Sequence, residues 1–397
     1  MTETSILVQK FGGTSVATAD SRRQVVEHIR RAREAGYQVA IVVSAIGRRG
    51  APYATDTLLD LLRSDGGAVD PRDYDLIFVT GEIISVAIMS QTLKRSGIAS
   101  VGLTGGQAGL HTDGHYREAE IVGIDVARLR RHMAAGVVPV IAGGQGIDPD
   151  SLDYTTLGRG ASDTSGVAFG VALGAEKVEI FTDVEGVAAT DPRMVPNAHW
   201  LARVSFPAMY ELARFGAKVL HPRAILAGWR GQTPVVVRST FSTAPGTTIG
   251  DVADECPIVG LATLSPMDTV WLPANVVDAE TRARWERRLV IMSVIDAESG
   301  CLVAGIQASR RDELDQVLRE AGVAALKRLP DAAWISLVGD PQVVGNRTGR
   351  DRECLAQHGI ALSGFEHAGL RATHIVAAND LERAATALYC DAFEIAG

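Results

Sequence analysis

Along its first two thirds the chain alternates short apolar runs, rich in β-branched residues, with longer stretches whose apolar positions recur every three or four residues. The runs "SILVQKF" (5–11), "QVAIVVSAIG" (38–47), "LIFVTG" (76–81), "SVGLTGG" (100–106), "VVPVIAGGQG" (137–146), "VEIFTDVEGV" (178–187) and "PVVVRST" (234–240) stay apolar at odd and even positions, and most lead into Gly, Ser or Thr. Runs of that kind suit parallel strands covered by helices on both faces. The stretches "SRRQVVEHIRRAREAG" (21–36) and "EIISVAIMSQTLKRSG" (82–97) supply helices between them. The pattern predicts an open α/β sheet of about 240 residues, with ligands bound beyond the carboxyl ends of its strands.

After "PGTTIGDVADECP" (245–257) the segments become shorter. Strands are expected at "IVGLAT" (258–263), "TVWLPAN" (269–275), "CLVAGIQ" (301–307), "AALKRLP" (324–330), "AWISLVGD" (333–340), "IALSGFEHAG" (360–369) and "LRATHIVAA" (370–378). Helices are expected at 278–289, 310–322, 349–359 and 380–394. Two small α/β modules with antiparallel strands result, and the chain divides into domains 1–250 and 251–397.

A length of 397 residues agrees with more than one hydrophobic core. The formal net charge of −8 lacks the clustered positive charge of a nucleic-acid footprint. No apolar run approaches the ~20 residues that span a bilayer, and no basic-then-apolar leader opens the chain. Neither nucleic acid nor membrane is therefore expected as a partner, and the cytoplasm is the expected location. Cys256, Cys301, Cys354 and Cys390 are widely spaced and form no CxxC pair or Cys/His ligand cluster, so reduced thiols and no metal ligand set are expected.

Only five basic residues are lysines (Lys10, Lys94, Lys177, Lys218 and Lys327), which makes a lysine inside a glycine-rich motif conspicuous. Lys10-Phe11-Gly12-Gly13-Thr14-Ser15 ends a strand in paired glycines. Glycine lets backbone N–H groups approach a phosphate, and an ammonium neutralises charge on a phosphoryl group in transfer. No GxxxxGK[ST] occurs, so this is not a P-loop. In "TTLGRGASDTSGVAFGVALGA" (155–175) an arginine stands between two glycines before a helix expected to begin near Thr164, with Ser162 or Asp163 as its cap. Such an arginine suits a carboxylate or phosphate. "FTDVEGVAATDPR" (181–193) sets Thr182 and Asp183 at a strand end and Arg193 in a turn; "FGAKVLHPRA" (215–224) sets Lys218 in an apolar helical stretch. Glu82 is expected to open a helix after a strand, where the helix dipole favours a carboxylate.

Together these motifs, with "VVSAIG" (42–47), "TGEIIS" (80–85), "LTGGQAG" (103–109) and "VRSTFSTAPGT" (237–247), resemble the aspartokinases of the amino-acid kinase superfamily across the whole first domain. The resemblance implies an amino-acid-kinase-type open sheet followed by two ACT-like βαββαβ modules, the first at about 268–332 and the second at about 333–397 with strand 258–263. It implies transfer of the γ-phosphoryl group of ATP, with Mg2+ carried on the nucleotide, to the side-chain carboxylate of L-aspartate or a related acidic amino acid. Lys10 and Asp163 would be catalytic. Thr55, Glu82, Arg159, Gly160 and Ser162 would bind the amino acid; Lys10, Phe11, Gly12, Gly13, Thr182, Asp183, Ala188, Arg193 and Lys218 would bind the nucleotide. A homodimer through the C-terminal modules and an amino-acid effector, lysine or threonine, are implied as partners. The sequence departs from the family pattern at Ala161 and Gly144, where glycine and phenylalanine are usual, and at Ala188, where tyrosine is frequent. Two other readings are a paralogue acting on another amino-acid carboxylate and a non-catalytic ligand sensor.

Overall fold

The computed structural model describes residues 5–64, 66–158, 160–273, 281, 285, 290–296 and 299–393, with side chains left out between 290 and 300. The chain forms two compact units. The first comprises Met1–Val187, Trp200–Phe206 and Val219–Ala253; the second comprises Ala188–His199, Pro207–Lys218 and Asp254–Gly397. Two segments that the sequence reading assigns to the first domain thus belong to the second unit.

The strands of the first unit begin with β1 (Ile6–Phe11), β2 (Gln38–Val43), β3 (Ser100–Leu103), β4 (Leu110–Thr112), β5 (Ile121–Ile124), β6 (Val138–Ala142), β7 (Gln145–Ile147), β8 (Tyr154–Thr156) and β9 (Lys177–Thr182). A short ribbon of β10 (Val187–Ala188) and β11 (Trp200–Leu201) follows, then β12 (Arg203–Ser205), β13 (Val235–Ser239) and β14 (Thr247–Gly250). Its helices are α1 (Ala19–Glu34), α2 (Thr55–Arg63), α3 (Pro71–Arg95), α4 (Ala127–Ala134) and α5 (Ala161–Leu173). Of the next two, α6 (Phe206–Arg214) belongs to the second unit from Pro207 onward, and α7 (Pro222–Arg230) belongs to the first.

Eight strands make the main sheet, in the order β12-β14-β13-β9-β1-β2-β6-β3. All its pairings are parallel except β13 with β14. From β1 the chain first builds outward through β2 on one side and later returns to β9 on the other. The carboxyl ends of β1 and β9 are therefore a topological switch point, where open α/β sheets bind ligands. The two-faced apolarity of the strands is explained by what covers them. Val25, Val26 and Ile29 of α1 and Val86, Met89 and Leu93 of α3 pack on Leu7, Phe11, Ile41 and Val140. On α5, Gly166 and Gly170 permit close approach to the sheet: a Cβ at Gly170 would lie 2.2 Å from Val178, and one at Gly166 would lie 3.1 Å from the Lys10 side chain.

The run "LIFVTG" is not a strand; it lies inside the 25-residue helix α3. Asp70 caps that helix by accepting from the N–H groups of Arg72 at 2.9 Å and Asp73 at 3.3 Å, with Pro71 in the first turn. By length and composition α3 could cross a membrane, but half of its apolar window is buried in the protein. Asp75 and Glu82 on its buried side mark it as a core helix.

The second unit holds a six-stranded antiparallel sheet, β16-β17-β15-β18-β20-β19, from β15 (Ile258–Pro273), β16 (Val290–Asp296), β17 (Ser299–Gln307), β18 (Lys327–Gly339), β19 (Gly364–Ala368) and β20 (Arg371–Ala377). Its helices are α8 (Arg311–Ala321), α9 (Pro341–Asn346), α10 (Thr348–Gln357) and α11 (Leu381–Ala392). Most of the helix expected over 278–289 lies outside the described residues. The strands expected at 258–263 and 269–275 are one strand, and those at 324–330 and 333–340 are another. Pro266 interrupts neither; the β15–β18 register shifts on either side of Met267 and absorbs the irregularity. Two four-stranded halves thus share β15 and β18. The mainly parallel open sheet followed by small antiparallel α/β modules is the fold class that the sequence predicts.

Candidate active site

β1 delivers Lys10 to the switch point. Its stem runs beside Gly166 of α5, and its Nζ meets Asp163 Oδ1 at 2.5 Å, with the lysine 7% exposed. Beyond Phe11 the chain turns: the Gly12 N–H donates to Phe181 O at 3.1 Å, and the Gly47 N–H donates to Gly13 O at 3.0 Å. A Cβ on Gly13 would sit 2.6 Å from two carbonyl oxygens, those of Ala45 and Gly47. Gly13→Ala is therefore expected to push the turn off its two strands, costing about 1–3 kcal/mol. Urea unfolding checks the loss.

The helix expected near Thr164 begins earlier, at Ala161, and neither Ser162 nor Asp163 caps it. Gly160 takes the cap position with a left-handed φ of 70°, and no side chain bonds to the helix N–H groups there. The first turn of α5 therefore keeps N–H groups free of side-chain caps and offers its positive dipole end to an anion. Ser162 Oγ lies 2.9 Å from Ser44 Oγ, linking α5 to the end of β2. Ser165 Oγ accepts from the Gly144 N–H at 2.8 Å. Two departures from the family pattern meet here, because a Cβ at Gly144 would lie 3.7 Å from that of Ala161. Arg159 lies outside the described residues.

Glu82 does not open a helix. It sits within α3, 4% exposed, and burial pushes its carboxyl up to about 8 against the partial help of its own N–H, the Ala45 N–H and Thr55. Thr55, in the first turn of α2, donates to Oε1 at 3.4 Å, whereas Oε2 is buried without a hydrogen-bond partner. A carboxylate in that state is a receptor for a cation that brings its own donors.

Thr182 and Asp183 follow β9; Thr182 O accepts from the Thr240 N–H at 2.9 Å, and exposed Asp183 pairs with Arg48 at 2.5 Å. Ala188, Arg193 and Lys218 belong to the second unit. There Arg193 is bound to Asp191, whose carboxyl those hydrogen bonds hold below its usual range. Lys218 is exposed in the connection after α6, not in a helix.

Three residues of the first unit escaped the sequence reading. Asp75 is fully buried on α3 and accepts from the Arg117 N–H at 2.8 Å, the Thr156 N–H at 3.0 Å and Thr156 Oγ1 at 2.7 Å. Arg223 of α7 donates to Leu157 O at 2.8 Å and Ala119 O at 2.9 Å. His221 caps α7 by accepting from the Arg223 N–H at 3.3 Å, and its ring lies against Gly160: a Cβ there would be 3.3 Å from His221 Cδ2. The available signal was the His-Pro-Arg run, a helix start with proline in its first turn.

A mainly parallel sheet with a lysine and a glycine turn at its switch point defines a phosphoryl-transfer architecture, and the profile of the Amino acid kinase family matches residues 5–239. An aspartokinase of Mycolicibacterium smegmatis is 34% identical over 418 residues, covering 99% of this chain and 97% of its own length. One of Thermus thermophilus is 35% identical over 408 residues, covering 93% and 98%. In fold, the chain matches E. coli aspartokinase III in complex with aspartate and ADP with a TM-score of 0.79, at 22% identity, over 98% of this chain and 100% of that one. The same enzyme has also been solved in complex with lysine and aspartate, with a TM-score of 0.70. The chain belongs to the aspartokinases, within the amino acid kinase family.

Proposed function

We propose that the protein transfers the γ-phosphoryl group of ATP to the side-chain carboxylate of L-aspartate, forming 4-phospho-L-aspartate. The observation that carries this reading is Lys10, a buried ammonium held by Asp163 beside a glycine turn and the uncapped start of α5. Transfer between two anions needs charge neutralisation and alignment more than a strong base, since the acceptor is already ionised at pH 7. Lys10 neutralises charge on the phosphoryl group, and the N–H groups of the Gly12–Gly13 turn and of α5 cradle phosphate oxygens. Glu82 takes the substrate ammonium on its unpartnered oxygen, with Thr55 steadying the other. Arg159 and the loop through Gly160 and Ser162 hold a substrate carboxylate. Thr182 and Asp183 hold the nucleotide, as the family resemblance also proposes for Ala188, Arg193 and Lys218.

Mg2+ is proposed to be carried by the phosphates of the nucleotide, the usual way this ion is held in phosphoryl-transfer sites. When bound, that ion supplies further neutralisation of phosphate charge. The second unit is proposed to form the homodimer and to receive an amino-acid effector, lysine or threonine.

The test is ADP release with MgATP and L-aspartate, run beside L-glutamate, with hydroxylamine trapping of the acyl phosphate. Selective turnover of L-aspartate with a trapped hydroxamate supports the reading. ADP release without a hydroxamate, or turnover of another acceptor alone, overturns it.

A further inference from the structure

Glu82 and Asp75 lie seven residues apart on α3, which stacks them on one face about 10 Å apart along the axis. Both are buried, but only Glu82 has a role in the chemistry proposed above. Asp75 spends its carboxylate on Arg117 and on Thr156 at the end of β8. One oxygen accepts from the N–H groups of Arg117 and Thr156, and the other accepts from the Thr156 hydroxyl. Thr156 ends β8 and is followed directly by Leu157 and Gly158, and Gly160 stands at the start of α5.

The turn through Arg117, which lies between β4 and β5, is tied down by the same carboxylate. The Ala119 N–H donates to Thr156 O at 2.9 Å. Arg117 adopts a left-handed φ of 71°, unfavourable for a residue with a side chain, and its N–H is one of those that Asp75 accepts from. Gly158, at φ 91°, runs close to Arg117 O. Arg223 of α7 also donates to Leu157 O and Ala119 O. Thr156 and Leu157 are thereby bonded to both α3 and α7.

We infer that Asp75 is a positioning residue that mounts the carboxylate-binding loop on the helix carrying the ammonium receptor, and so sets the span of amino acid the site accepts. This rests on the reading of Glu82 and of the residues around Gly160 and Ser162 as the two ends of the substrate site. A ruler made of one helix and three hydrogen bonds is stiff, and the difference between aspartate and glutamate is a single methylene. Slack at Thr156 lengthens the usable span and so erodes discrimination before it erodes nucleotide binding.

The experiment measures steady-state constants for L-aspartate, L-glutamate and ATP in Asp75→Asn and in Thr156→Val. Asp75→Asn sets an amide NH2 against donors that the carboxylate accepted from. It is expected to raise the KM for L-aspartate roughly tenfold, the scale of one lost hydrogen bond to a buried charge. The aspartate-to-glutamate ratio of kcat/KM should fall, and the KM for ATP should stay within about twofold of the wild type. Thr156→Val removes a single bond from the same carboxylate and should move the same constants in the same direction by less. It decides the matter if Asp75→Asn does not fold. Unchanged aspartate KM and unchanged discrimination in the folded variant overturn the inference, as does a loss confined to kcat or to thermal stability. Absence of aspartate turnover in the wild type is a different outcome, and it overturns the proposed function instead.

Discussion

Lys10→Ala is expected to lower kcat by about 10³-fold, the scale seen when a preorganised donor to developing charge is removed. The structure adds a second consequence. Lys10 is buried and its ammonium is the partner of Asp163, so alanine leaves a carboxylate in a largely buried place without its cation. Breaking such a pair from one side costs about 3 kcal/mol. The loss of activity therefore has to be separated from loss of fold. Lys10→Met combined with Asp163→Asn removes both charges: it should recover much of the stability, read by urea unfolding, and none of the turnover. A double variant that regained turnover would remove Lys10 from the mechanism.

Glu82→Gln is the second large effect. In the free protein burial holds the Glu82 carboxyl at about 8 rather than 4.5, so between those values the folded state binds a proton that the unfolded chain has released. The stability that this proton contributes is full below about 4.5 and is lost as pH rises toward 8. An ammonium at Oε2 favours the ionised form and reverses that loss, so L-aspartate should protect the wild type more at pH 8 than at pH 6. Glutamine cannot ionise. The variant should hold its melting temperature at pH 8 at or above that of the wild type, gain no pH-dependent protection from aspartate, and show an aspartate KM raised by about 10²-fold. A wild-type aspartate KM in this variant would place the ammonium elsewhere.

Lys10, Gly12 and Gly13 could be picked out as candidates because lysine is rare in this chain and here it ends a strand in paired glycines; the structure places them together at the carboxyl end of β1. Glu82 was legible as a residue but not as an environment. A helix buried on most sides shows no period, so "LIFVTG" read as a strand although Asp70-Pro71 already marked a helix start. The strands 258–263 and 269–275, and likewise 324–330 and 333–340, read as separate; Pro266 and Pro330 fall where the β15–β18 register slips, so each pair is one long strand. Asp75 and Arg223 were invisible for a different reason. Their partners are mostly backbone atoms of Arg117, Ala119, Thr156 and Leu157, and a backbone acceptor or donor leaves no mark in the sequence.

The sharing of β15 and β18 between the two halves of the second sheet has a temporal consequence. The first unit has its last strand once Gly250 has emerged from the ribosome, and its central pairings join segments already made. β15 is synthesised next but pairs with β17 and β18, and β18 in turn pairs with β20, which ends at Ala377. Almost the whole chain must therefore leave the ribosome before this sheet can close. During that interval a 16-residue strand waits with both edges open, so nascent chains are most exposed to mispairing in their final third.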